Sequence, residues 1–212
     1  MRAIDRVLRD HIWPVAAAQG FARSGRRFFK LNANDDLVQI YFEPAFGSTD
    51  EEHLRVSMWL RQGLARRHRG IREPTLIQDD HDPTGRWEWI PPSPAPYRPD
   101  GGDPNVWNGL SWPGIGSDLG REAASVWFPT MTAVIEPGAL TQELRRPTGR
   151  FPGRIRRSAA ALAASLINDG GLPEPTVRLL LRQIAVDGPV WGETLRVRYE
   201  AACAADHHSV WD

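Results

Sequence analysis

A chain of 212 residues with 41% apolar and 25% charged residues and a mean hydropathy of −0.43 can bury roughly 70% of its unfolded surface, and it matches neither a membrane protein nor a low-hydrophobicity disordered chain. Its 26 Lys and Arg balance 26 Asp and Glu, which removes bulk attraction to nucleic acid or to an acidic membrane surface. The single cysteine, Cys203, excludes an internal disulfide framework.

In chain order, Ile4, Val7, Leu8, Ile12 and Val15 recur at helical spacing over residues 3–18, with Arg2, Asp5, Arg6 and Arg9 opposite. Pro14 predicts a kink and Gly20 a stop. Strands are predicted at 26–31 and 37–43, joined by a turn whose Asn and Asp residues tolerate unusual backbone. A third strand at 54–61 alternates Leu54, Val56, Met58 and Leu60 with Arg55, Ser57, Trp59 and Arg61. Alternation in neighbouring strands predicts that Val38, Ile40, Phe42, Val56 and Met58 share one buried face of an antiparallel meander. Thr75–Ile77 and Trp87–Ile90 are two shorter candidates for extending the sheet.

Residues 91–116 carry seven prolines and five glycines, a composition that rules out a helix or a central strand. Tyr97, Trp107 and Trp112 make the segment too aromatic for a solvated linker, so it reads as a long loop pinned to the body by Trp107 and Trp112. The remainder reads as helical. Ser117 is the expected cap of a helix over 118–128 that Pro129 disturbs, and a short helix follows at 138–145. Further apolar stripes lie within 154–167, 175–184 and 192–205, the last including Cys203, which is expected to be a buried inert thiol. The fold class is therefore α+β within one domain over 1–212. It divides into a helix and an antiparallel sheet of three to five strands (1–90), a Pro/Gly-rich loop (91–116) and a helical C-terminal half (117–212).

The stretch Gly20-Phe21-Ala22-Arg23-Ser24-Gly25-Arg26-Arg27-Phe28, set between an amphipathic helix and a hairpin, resembles the G-F-x-x-x-G-x-x-F opening of an uncharacterised bacterial family, domain-of-unknown-function family 4304. The resemblance covers mainly residues 1–61 and implies an N-terminal helix followed by an antiparallel sheet. It implies no catalytic residues.

Chemistry-bearing residues are sparse. Asp79-Asp80-His81-Asp82 holds the densest set of oxygen and imidazole donors, which could bind a divalent ion and activate water for hydrolysis. Adjacent residues diverge in an extended chain, however, and the following Pro83-Thr84-Gly85 favours a plain turn. His207 and His208 read as a frayed tail, and no serine sits in a nucleophile-elbow context. Gly114-Ile115-Gly116-Ser117-Asp118-Leu119-Gly120 has the wrong spacing and the wrong preceding element for a dinucleotide site. The cationic clusters are Arg66-Arg67-His68-Arg69 and the group Arg150, Arg154, Arg156 and Arg157; arginine accounts for all basic residues but Lys30, so such clusters arise readily.

The candidate contact surface is the second face of the third strand, Arg55, Trp59 and Arg61, joined by Tyr41, where a guanidinium over an indole would give a cation–π pair. Trp107, Trp112, Arg154 and Arg157 complete the set. The expectation is a bacterial cytoplasmic protein that binds another protein without catalysis, with no cofactor, no membrane partner and no nucleic acid. The alternative is a metal-dependent hydrolase or nuclease on Asp79, Asp80, His81 and Asp82.

Overall fold

The computed structural model describes residues 2–45, 52–62, 86–100 and 102–145, together with positions 165, 166, 168 and 169. The expected strand at 75–77 and the helices at 175–184 and 192–205 lie outside the described residues, as does most of the helix at 154–167.

The chain opens with α1 (Ala3–Val7), a π turn (Leu8–Ile12) and α2 (Trp13–Ala18). A proline has no N–H to donate and its ring crowds the carbonyl four residues back. The wide turn ahead of Pro14 re-registers the ladder and absorbs that defect. The same solution recurs later, where a π turn (Ala123–Trp127) precedes Pro129. α2 stops in a left-handed Gly20 (φ 77°), with Gly20 N–H donating to the Ala17 carbonyl and Phe21 N–H to the Ala16 carbonyl. This paired arrangement satisfies the last carbonyls of the helix.

Strand β1 (Ala22–Ser24) follows at once, and Gly25 (φ 60°) turns the chain into β2 (Arg27–Leu31). Gly25 is the first residue of a two-residue hairpin loop, a position that demands positive φ. The β2–β3 turn is organised by Asn32, whose side-chain oxygen accepts from the N–H groups of Asn34 and Asp36 while its amide donates to Asp36 and to the Ile135 carbonyl. β3 (Leu37–Pro44) and β4 (His53–Arg61) complete an antiparallel meander.

The far edge of β4 is shared by two short strands. β5 (Arg86–Trp89) pairs with positions 58–61, and β6 (Val106–Asn108) pairs with positions 53–55. Pro91 and Pro92 have no N–H to continue the ladder, so the chain leaves the sheet after β5 and returns at β6. Among the described residues the sheet thus has six strands in the order β1-β2-β3-β4-β5, with β6 beside β4. The expectation of a strand-free loop over 91–116 is corrected accordingly: β6 is an edge strand, where flanking Pro104 and Gly109 are tolerated.

One face of the sheet is the core. Val38, Ile40, Phe42, Val56 and Met58 are all fully buried, as the alternation predicts, beside Phe28, Leu54 and Leu60. Against them lie α3 (Ile115–Glu122), the second π turn and α4 (Phe128–Val134), followed by α5 (Ala139–Arg145). Phe28 packs edge-on to Phe42 (5.4 Å) and Phe128 (5.9 Å), and Phe42 meets Trp127 (5.9 Å).

α3 begins at Ile115 behind a left-handed Gly114 with no side-chain cap, three residues before the start at 118 expected from a Ser117 cap. The glycines of the Gly114–Gly120 motif serve helix packing. A side chain at Gly116 would run into the His11 ring, and one at Gly120 would press on the His11 backbone oxygen at 3.1 Å. Their absence lets the first helix and α3 cross closely.

Candidate functional site: the outer face of the sheet

Because side chains alternate, the register that buries Phe28, Ile40 and Met58 sends their neighbours to the opposite face. Arg27 pairs with Tyr41, Tyr41 with Ser57, Gln39 with Trp59, Glu43 with Arg55, and Leu37 with Arg61. Tyr41, Arg55, Trp59 and Arg61 therefore share one face, as expected. The cation–π contact there differs from the expected one. The Arg27 guanidinium sits 4.7 Å from the Tyr41 ring centroid, since Arg27 is the residue directly opposite Tyr41 on β2.

Arg55 Nη2 donates to Asp103 Oδ2 at 2.6 Å, tying β4 to the segment before β6. Asp103 also accepts from the Asn105 backbone N–H, and these bonds hold its carboxyl below the usual range, the Asn105 bond contributing most. Ser57 Oγ donates to Glu43 Oε1 at 3.4 Å. Tyr41, Trp59 and Arg55 are half-buried, whereas Arg61 is only 7% exposed. Arg27 is half-buried as well, and Ser57, opposite Tyr41, is buried; Arg61 is corrected from a surface contact to a buried, partnered side chain.

Trp107 requires the same correction as a binding residue. It opposes Leu54, which points it to the core side, and it is 1% exposed against Trp127 (5.9 Å, edge-on) and Tyr97 (5.2 Å, stacked). Its expected anchoring role holds. Trp112 is 48% exposed and does not anchor the segment in the core; its indole lies over Gly109, whose φ of 76° and lack of a Cβ make room for it.

The excursion between β5 and β6 is closed at its base by Ser93. Its N–H donates to the Pro104 carbonyl at 2.8 Å and its hydroxyl to the Val106 carbonyl at 2.7 Å, while Arg98 Nε donates to the Ser93 carbonyl at 2.7 Å. At its tip the Tyr97 phenol donates to Asp118 on α3. That bond raises the phenol above its ordinary value and lowers the Asp118 carboxyl. The excursion is thus a strap, pinned at both base and tip.

A second polar cluster escaped the sequence reading. Asn168 Nδ2 donates to Asp36 Oδ1 at 3.1 Å, and Thr141 Oγ1 donates to Asp169 Oδ2 at 2.5 Å while lying 2.7 Å from Ser165 Oγ. Burial, with the nearby Asp36 charge adding to it, pushes the Asp169 carboxyl above its ordinary value despite the Thr141 bond. A raised carboxyl pKa means the folded state holds a proton that the unfolded chain releases near pH ~3.9. Asp169 therefore contributes stability at low pH that is lost as pH rises through its folded value. Asp169→Asn is expected to be as stable as the parent in acid and more stable at neutral pH, a gap that urea melts across pH will display. A gap that narrows as pH rises would contradict the assignment.

Asp79, Asp80, His81 and Asp82, Arg66–Arg69, Arg154 and Arg157, Cys203 and His207–His208 lie outside the described residues. Among the described residues no group of three or more His, Cys, Asp or Glu could hold a metal ion, and no helix is long and apolar enough to cross a membrane. Arg27 was legible in principle, because a turn over 32–36 pairing Leu31 with Leu37 places Arg27 across from Tyr41. Asp103, separated from Arg55 by 48 positions, carried no local signal. Comparison of the chain with known protein families, curated proteins and solved structures finds no match.

Proposed function

We propose that this chain is a non-enzymatic, protein-binding protein of the bacterial cytoplasm, and that it meets its partner through the Arg27–Tyr41 end of the outer sheet face. The observation that carries this reading is the Arg27 guanidinium over the half-buried Tyr41 ring at 4.7 Å, with Trp59 and the Arg55–Asp103 pair on the same face. Arg, Tyr and Trp are the residue types that dominate binding energy at protein interfaces, because each combines a large apolar area with a directional polar group. A stacked guanidinium is also already oriented, so less freedom is lost on contact. The opening motif supports kinship with the family of unknown function and adds no chemistry to this reading.

The test is co-purification from the native host at native expression, comparing the parent with Arg27→Ala combined with Tyr41→Ala. A partner recovered with the parent and weakened about tenfold or more in the variant, at an unchanged melting temperature, supports the reading. Equal recovery by both proteins, or no stoichiometric partner with the parent, overturns it.

A further inference from the structure

The strap between β5 and β6 holds its own shape. Tyr97 N–H donates to the Pro94 carbonyl at 3.0 Å, Arg98 N–H to the Ala95 carbonyl at 3.3 Å and Gly102 N–H to the Pro99 carbonyl at 3.1 Å, so its backbone bonds close short internal turns. Its base is bonded at Ser93 and through the Arg55–Asp103 pair. Among the described residues of 94–102, one hydrogen bond leaves the strap, from the Tyr97 phenol to Asp118 Oδ2 on α3. The same half-buried ring lies on Trp107 with the planes 24° apart. One side chain therefore fastens the tip.

The seat beneath that side chain is supported from elsewhere. Trp107 is placed by its pairing with Leu54 and by its edge-on contact with Trp127. Asp118 is held at its other oxygen, Oδ1, by Arg121 Nη2 at 2.8 Å, one turn along α3. An indole face beside an oriented carboxylate is matched to a phenol, whose ring stacks while its hydroxyl donates.

We infer that Tyr97 is an internal plug in a phenol-binding slot formed by Trp107 and Asp118, and that a tyrosine side chain of the protein partner takes the slot when the strap tip swings out. This rests on the protein-binding reading above and adds to it the chemistry of one anchor. The occupant already in place shows what fits. The exchange is like for like, since one stack and one phenol–carboxylate bond are lost within the chain and regained with the partner. A phenylalanine would leave Asp118 Oδ2 without its donor, and an arginine would set its guanidinium against Arg121. A tip fastened at one point belongs to the low-stability end of a fold, from which moving elements are drawn.

The probe is p-cresol, the tyrosine side chain as a free molecule, titrated by calorimetry into Tyr97→Ala, which vacates the slot. Expected is saturable binding about tenfold or more tighter than to the parent, whose open form is a minor fraction. Toluene, the same ring without the hydroxyl, should bind about tenfold more weakly than p-cresol, as should p-cresol to Tyr97→Ala with Asp118→Ala. A second measurement needs no variant. In the parent, N-acetyltyrosinamide should speed subtilisin cleavage within residues 95–105, and N-acetylphenylalaninamide should do so less. The inference is overturned by absence of p-cresol binding to folded Tyr97→Ala, by equal binding of toluene, by equal binding to the parent, or by cleavage of the parent that neither amide changes. If p-cresol fails while capture through Arg27 and Tyr41 persists, the slot alone falls. If capture fails while p-cresol binds as expected, the sheet-face reading falls instead.

Discussion

Trp107→Ala is expected to lower the free energy of unfolding by about 3–5 kcal/mol, the range for truncating a fully buried large aromatic. The residue touches the core through Trp127 and the strap through Tyr97, so the lost ring leaves a cavity bordered by both. Urea denaturation measures the loss. Limited proteolysis supplies a second readout, because the variant should be cut within residues 95–105 well before it unfolds. Trp112→Ala, at 48% exposure, is the control and should change stability by no more than about 0.5 kcal/mol. A Trp107 variant within about 1 kcal/mol of the parent would mean that the strap is held by Ser93 and Tyr97 alone.

Phe28→Ala should cost a similar ~3–5 kcal/mol. Phe28 has Trp13 (6.2 Å), Phe42 (5.4 Å) and Phe128 (5.9 Å) around it, so the first helix, the sheet and α4 converge on one ring. It is also the last residue of the Gly20–Phe28 motif, whose other fixed positions are two left-handed glycines and Phe21, packed 4.7 Å from Phe128. Each motif position thus has a structural cause. A Phe28 variant that kept its stability but lost partner capture would assign the motif to binding instead.

The three central strands were legible because period-two alternation is strong in Leu37–Pro44 and His53–Arg61, and an Asn-rich turn fixes their register with β2. The same alternation located Tyr41, Arg55, Trp59 and Arg61 on one face. What it could not convey was depth, since the exposure of Arg61 or Trp107 depends on what packs against it. β1 and β6 were missed for a related reason. A strand of three residues has almost no periodicity of its own and exists because a long neighbour offers unpaired N–H and C=O groups. The π turns left only an indirect mark, the prolines two residues beyond each of them. The Asp36–Asp169 cluster joins residues over a hundred positions apart, beyond the reach of any local pattern.

The shared edge of β4 sets an order of events at the ribosome. The meander through β4 can pair as soon as Arg61 has emerged, but the groups that complete its far edge arrive in two instalments, with β5 and then with β6. At a synthesis rate of about 5–20 residues per second, the roughly 50 residues from Arg61 to Asn108 leave that edge unfinished for some 2–10 seconds. During this interval β4 presents an open ladder together with the apolar row Leu54, Val56, Met58 and Leu60, a combination that invites pairing with a neighbouring nascent chain. β6 completes the edge, and the apolar row is covered only afterwards, when α3 and α4 emerge and pack upon it, so the strap ends the open-ladder half of the hazard before the helices end the other half.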